Sequence, residues 1–180
     1  RLFFIIIALL VLSINIQRIK KTFTKKSVKT ERKQYRYLTY HTICCYVGLF
    51  FLGIAEYFIF SKTIQSVITI LGICLYFMGY KLTNNAINTL GDAWNIHISA
   101  ENVKKIVTNN IYSKRRHPYY IGSILELLGW LLFLNAYRTI VALLMLQLPL
   151  YLFRIMLEEQ ELIKKFGKEY IEYKYRTHMF

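Results

Sequence analysis

Five apolar runs dominate this chain: Leu2 to Ile16, Tyr37 to Phe60, Ile64 to Tyr80, Tyr119 to Leu134 and Thr139 to Phe153. Crossing the hydrocarbon region of a bilayer takes about 20 apolar residues, fewer where neighbours or local thinning help. Two of the runs reach or approach that length, and the others are nearer 15 residues. Hydrophobic residues make up 55% of the 180, above the roughly 45–50% of ordinary soluble domains, which excludes a water-facing globular domain as the starting picture. The expectation is an all-α, polytopic membrane protein with about five transmembrane helices. The first run reads as a truncated span. A secretory signal peptide is the competing reading, but there the basic residues precede the apolar run, whereas here they follow it.

The formal charge of +14 raises the question of nucleic acid, and its distribution answers it. Nine Lys and Arg lie between Arg18 and Arg36 against Glu31 alone, so this one loop carries +8 of the total. A short basic loop between spans marks the cytoplasmic side. The charge then follows from topology and anionic lipid headgroups, and no nucleic-acid partner is expected. With that loop inside, the turn from Ser61 to Thr63 lies outside, and the polar sequence from Lys81 to Pro118 and beyond Arg154 faces the cytoplasm. Cys44, Cys45 and Cys74 sit in apolar runs without metal-ligand spacing and read as packing residues; no metal is expected.

With no internal repeat, the chain divides into N-terminal helices (1–81) and a catalytic region (82–180). Asn84, Asn85, Asn88, Asp92, Trp94, Asn95 and His97 read singly as an interfacial helix. In Arg116-His117-Pro118-Tyr119-Tyr120-Ile121-Gly122, Pro118 holds His117 extended and suits the first turn of a helix, which puts His117 at the mouth of the fourth span. A helix start with Arg and His beside it suits an anion. Gly122, Ser123, Glu126 and Gly129 form a small, polar stripe for close packing or for a ligand. Arg154 and Glu158, four apart, share a helix face one turn after Pro149, a predicted kink. Taken alone, Arg154 also fits a topology anchor, and Leu162, Phe166, Tyr170 and Tyr173 fit the membrane side of a juxtamembrane helix.

In combination these segments say more. Arg-His-Pro-Tyr-Tyr-Ile-Gly, an apolar hairpin of about 30 residues, Arg-x-x-x-Glu-Glu-x-x-Leu and Phe-Gly-x-Glu-Tyr-x-x-Tyr resemble the isoprenylcysteine carboxyl methyltransferase family in order, spacing and residue type, over roughly Ala86 to Tyr175. The resemblance implies S-adenosylmethionine as cofactor, held where the cytoplasmic segments meet the last two spans. It places Ile106 and Val107 at the adenine end and Tyr112 as an aromatic partner of the cofactor. His117, Pro118, Tyr119 and Tyr120 match the central cofactor-binding stretch, and Glu158 matches a cofactor-binding carboxylate. Arg154 matches a substrate-side arginine. A carboxylate acceptor already carries its charge at neutral pH, so orientation matters more than a strong base, and a guanidinium holds such a group by two parallel hydrogen bonds.

Departures from the family pattern bear on substrate more than on cofactor. Asn110 stands where a Gly is usual, Asn84 or Asn85 where a basic residue is frequent, Lys104 and Lys105 where His is frequent, and an amide-type contact falls near His97. The function implied is methyl transfer to a carboxylate of a hydrophobic or lipidated acceptor at a membrane: the cell membrane of a prokaryote or the endoplasmic reticulum of a eukaryote. A phospholipid or small-lipid methyltransferase is the enzymatic alternative. A small transporter or scaffold using Glu56 and Glu126 is the non-enzymatic one.

Overall fold

A computed structural model describes residues 2–24, 33–60, 65–98, 100 and 103–180. The middle of the basic loop (25–32) and the 61–63 turn lie outside the described residues. Three helices come first: α1 (Leu2–Thr24), α2 (Lys33–Phe60) and α3 (Ser66–Leu90). After an irregular segment comes α4 (Pro118–Phe133). A nearly unbroken helical run then joins α5 (Tyr137–Ala142), a π-helical turn (Leu143–Gln147) and α6 (Leu148–Phe166), and α7 (Lys168–Arg176) ends the series. Among the described residues there is no β-strand, only an isolated parallel bridge between Arg115 and His178.

Among the described residues, three helical segments are long and apolar enough to cross a membrane: Tyr35–Phe60, Ser66–Ala93 and Tyr137–Phe166. The other two apolar helices, Ile5–Gln17 and Pro118–Phe133, are shorter. At 1.5 Å per residue, α4 spans about 24 Å, against a hydrocarbon thickness of about 30 Å. The π-helical turn has a local cause. Pro149 has no N–H to give and would crowd the carbonyl of Met145, and Met145 lies inside the wide turn that relieves the crowding.

α3 runs ten residues beyond the apolar stretch that signalled it. Hydropathy marks where lipid ends, whereas the helix stops where its backbone stops it. Gly91, at φ +54°, closes the last turn by donating its N–H to the carbonyl of Ile87. Past the apolar stretch the helix is tied sideways through side chains, with Asn110 Nδ2 donating to Asn85 Oδ1 at 3.3 Å and to Thr89 Oγ1 at 3.2 Å. Asn110 itself has φ +53°. That left-handed conformation suits Gly, and Asn adopts it more readily than most residues, which accounts for the exchange at this place.

α3 and α4 pack antiparallel through glycines seven residues apart in each. A Cβ on Gly72 would meet the backbone N of Phe133 at 2.3 Å, and one on Gly129 the N of Tyr76 at 2.3 Å. A Cβ on Gly79 would meet the N of Glu126 at 2.5 Å, and one on Gly122 the side chain of Thr83 at 2.4 Å. Of the two uses predicted for the α4 stripe, close packing is the one observed for its glycines. The main core lies beside this contact, where Trp130 stacks on Phe50 at 4.5 Å and donates Nε1–H to the Phe50 carbonyl at 3.2 Å.

Glu56 of α2 has a structural task. Its carboxylate accepts from the N–H groups of Arg138 (3.0 Å) and Thr139 (2.8 Å) and from the Thr139 hydroxyl (2.7 Å). It therefore caps the start of α5 from a different helix. Glu56→Ala strands two N–H groups, and the expected cost is about 2–6 kcal/mol, at about one to three per buried group left unsatisfied. Denaturant-induced loss of helicity in detergent measures it.

Candidate active site

A cavity of about 210 Å³ opens where α2, the end of α3, the segment 93–120, α6 and α7 meet. A second, of about 60 Å³, lies between α1 and α2 and is lined by apolar and aromatic side chains with Asn15. Only the larger collects chemically useful groups. Ile106, Val107, Tyr112, His117, Tyr119, Tyr120, Arg154 and Glu158 all line it. Pro118 does not. It is the buried first residue of α4, and it sets the direction in which the two tyrosines leave the helix start.

A chain of polar contacts crosses the cavity wall. The Tyr120 hydroxyl donates to Glu158 Oε2 at 3.0 Å and accepts from Arg154 Nε at 3.4 Å. The Arg154 guanidinium also donates from Nη1 to Thr39 Oγ1 at 2.9 Å and from Nη2 to the Ile96 carbonyl at 2.7 Å. Arg154 is 7% exposed. It sits inside the protein, held by α2, α4 and the 93–98 segment, and not out among headgroups.

Glu159, next along α6, faces a different set of partners. Its Oε1 accepts from Arg116 Nε at 2.8 Å and pairs with His117 Nε2 at 3.2 Å, and its Oε2 meets Lys174 Nζ at 2.5 Å. Arg116 Nη1 donates further, to the carbonyls of Lys174 (2.9 Å) and Thr177. The backbone adds a seam: Arg116 N–H to the His178 carbonyl, His178 N–H to the Lys114 carbonyl, both 2.9 Å, and His117 N–H to the Met179 carbonyl at 3.3 Å. The C-terminal residues are thus fastened alongside the His-Pro segment.

Sequence reasoning left several of these residues out. Glu159 was visible only as half of a Glu-Glu pair, and Lys174 reaches it because Gly167, at φ +55°, ends α6 and lets α7 turn back. Tyr170 and Tyr173, which fit a membrane-facing stripe by pattern, line the cavity instead. Tyr170 is 3% exposed, and the Tyr173 hydroxyl donates to the Tyr112 carbonyl at 2.7 Å. Trp94 packs its ring 4.4 Å from that of Tyr119, and its Nε1–H is buried with no hydrogen-bond partner among the described residues. No sequence signal separated it from an interfacial anchor.

The electrostatics outside the helical spans favour neutral donors. Burial, then the nearby Glu158 carboxylate, pushes the Tyr112 phenol up. Burial, then Glu159, does the same to Tyr170. Tyr173 is pushed up to about 12 by burial, with Arg116 opposing. Burial, then Arg154 and Arg36, holds the His97 imidazole below its ordinary value, so the neutral ring is favoured beside Arg154.

Residues 70–164, just over half of the chain, match the isoprenylcysteine carboxyl methyltransferase family. The chain is 31% identical over 119 residues to a protein-S-isoprenylcysteine O-methyltransferase of Saccharomyces cerevisiae, covering 64% of this chain and 50% of the relative. It is 31% identical over 108 residues to protein-S-isoprenylcysteine O-methyltransferase B of Arabidopsis thaliana, covering 59% of this chain and 55% of that one. A protein-S-isoprenylcysteine O-methyltransferase of Tribolium castaneum is 30% identical over 105 residues, 57% of this chain and 37% of its own length. The chain thus spans between 37% and 55% of the length of these relatives. The matched stretch runs from α3 to the end of α6 and contains the His-Pro segment, Arg154 and both glutamates, and on that evidence the chain belongs to the isoprenylcysteine carboxyl methyltransferase family.

Proposed function

We propose that this chain is a membrane methyltransferase that transfers a methyl group from S-adenosylmethionine to a carboxylate on a hydrophobic or lipidated acceptor. One observation carries the reading: eight residues expected at the site, drawn from separate segments of a family member, converge on one cavity. The cavity suits the donor chemically. Ile106, Val107 and Tyr112 offer apolar and aromatic surface for a base, Glu158 a carboxylate and His117 a ring nitrogen for polar ends, and Trp94 a buried N–H without a partner. When bound, S-adenosylmethionine supplies a methyl group on a sulfonium, already activated for displacement. The protein's part is then binding, orientation and exclusion of water. Arg154 holds the acceptor carboxylate on the side of the cavity nearest α2, and Tyr120 links it to Glu158, so acceptor and donor are aligned by one hydrogen-bonded chain.

In this reading the helices cross the bilayer about five times, residues 1–81 form the membrane-embedded support, and residues 82–180 form the catalytic region. The cavity faces the cytoplasm, the side marked by the basic residues. Three helices of spanning length and relatives named for prenylcysteine support the lipid setting. The test is incubation of the purified full chain in lipid nanodiscs with methyl-labelled S-adenosylmethionine and either a prenylated cysteine or a lipid extract. Label recovered as a base-labile methyl ester is the expected result; label in an amine-containing lipid, or no transfer at all, would overturn the carboxylate assignment. His117→Ala and Glu158→Ala are each expected to weaken donor binding about tenfold or more, the cost of a lost buried polar partner. Calorimetric titration of donor into each variant checks it, and unchanged affinity in both would remove them from the site.

A further inference from the structure

We propose that Glu159 is a positioning residue: it sets the tautomer of His117 and thereby makes Nδ1 the acceptor that the ring offers to a ligand. The functional half of this statement rests on the methyl-donor reading above. Glu159 is 4% exposed and takes no place on the cavity lining, whereas Glu158 and His117 both do. Its Oε1 lies 3.2 Å from His117 Nε2. A carboxylate oxygen is an acceptor only, so in a neutral ring the hydrogen sits on Nε2 and the lone pair on Nδ1. Arg116 at 2.8 Å and Lys174 at 2.5 Å already supply more positive charge than this one carboxylate carries. Glu159 thus orients the imidazole through its Nε2 while also holding the two cations. Acceptor–histidine pairs of this kind fix ring direction and basicity in many polar sites.

The same contacts fix Glu158. Successive helix residues point about 100° apart, so tying Glu159 to the His-Pro segment and to α7 sets the rotation of α6 that turns Glu158 toward the Tyr120 hydroxyl. Glu159 reaches the C-terminal residues through two separate cations, Arg116 and Lys174. A residue that served only as a structural tie would change stability when removed and leave the ring's hydrogen where it was.

The experiment uses the full chain in nanodiscs with imidazole-¹⁵N histidine at pH 8, His117→Asn identifying the His117 resonances. The wild type is expected to show Nε2 protonated and Nδ1 bare. Glu159→Ala should populate the Nδ1–H form and raise KM for S-adenosylmethionine about tenfold with a smaller change in kcat, the pattern of a lost binding contact. Glu159→Gln keeps an oxygen acceptor, so it should keep the wild-type tautomer and lie nearer the wild type in KM. A wild-type His117 protonated on Nδ1 overturns the proposal whether or not either variant folds. So does a Glu159→Ala protein that is folded and keeps the Nε2–H tautomer. A wild type that transfers no methyl group rejects the proposed function instead and leaves the tautomer measurement to stand by itself.

Discussion

Arg154→Ala is expected to bind S-adenosylmethionine close to normally and to lose methyl transfer by about 100-fold or more, the scale on which small misplacement of a reactant costs rate. Arg154→Lys should bind the donor equally well and still lose about tenfold, because one ammonium cannot reproduce a planar fork. The geometry makes the contrast sharp. The guanidinium is held from three directions, by Thr39, Ile96 and Tyr120. A lysine reaches one or two of these acceptors and leaves a buried carbonyl or hydroxyl short of a partner. A residue kept only to set topology would tolerate Lys, but such a residue would lie among headgroups and not 7% exposed within the protein. Donor affinity and turnover measured on the same preparation decide the matter, with a thermal melt to show that the variant is folded. Near-normal turnover of Arg154→Lys would return Arg154 to the role of an anchor. Lost donor binding would assign it to the other ligand.

The second large effect concerns the α3–α4 contact. Gly129→Ala should prevent a stable fold, because the added Cβ would lie 2.3 Å from the backbone N and 2.8 Å from the Cα of Tyr76, and a helix backbone has no side-chain end that can swing away. Overpacking in ordinary cores costs about 1–3 kcal/mol, and this clash falls beyond the range that side-chain adjustment relieves. Gly72→Ala meets the same obstacle in Phe133. Gly48→Ala is the control. It lies within α2, exposed and with nothing within 4 Å of the added methyl, so it should gain up to about 1 kcal/mol from helix propensity. Fluorescence-detected size exclusion after detergent extraction separates the outcomes. A monodisperse Gly129→Ala protein with wild-type melting would mean that the two helices can separate at no cost.

The reach of the sequence differs between these features. Apolar runs located the helices, since lipid-facing and core-facing residues are both hydrophobic and leave a long signal. They did not locate where α3 ends, because Asn84 to Leu90 form helix on the strength of backbone hydrogen bonds and side-chain ties that hydropathy does not register. The residues of the His-Pro segment were legible because Pro118 is both a conformational constraint and a helix start. Glu158 was legible from its spacing to Arg154 and from the family resemblance, whereas Glu159 was visible only as its neighbour. Which one faces the cavity depends on the rotation of α6, and that depends on Lys174 arriving from a helix that turns back at Gly167. The glycines of α4 offered packing or a ligand equally until α3 lay against them.

The cap that Glu56 provides for α5 has a consequence for the order of assembly. During synthesis, α2 emerges about eighty residues ahead of the backbone groups that its carboxylate will hold. Until α5 arrives, α2 carries an acidic group whose eventual partners do not yet exist, in a helix otherwise suited to lipid. The contacts of α2 are therefore completed only when the late hairpin packs against it. A chain that stops before Arg138 leaves that carboxylate without the three donors that hold it in the finished fold.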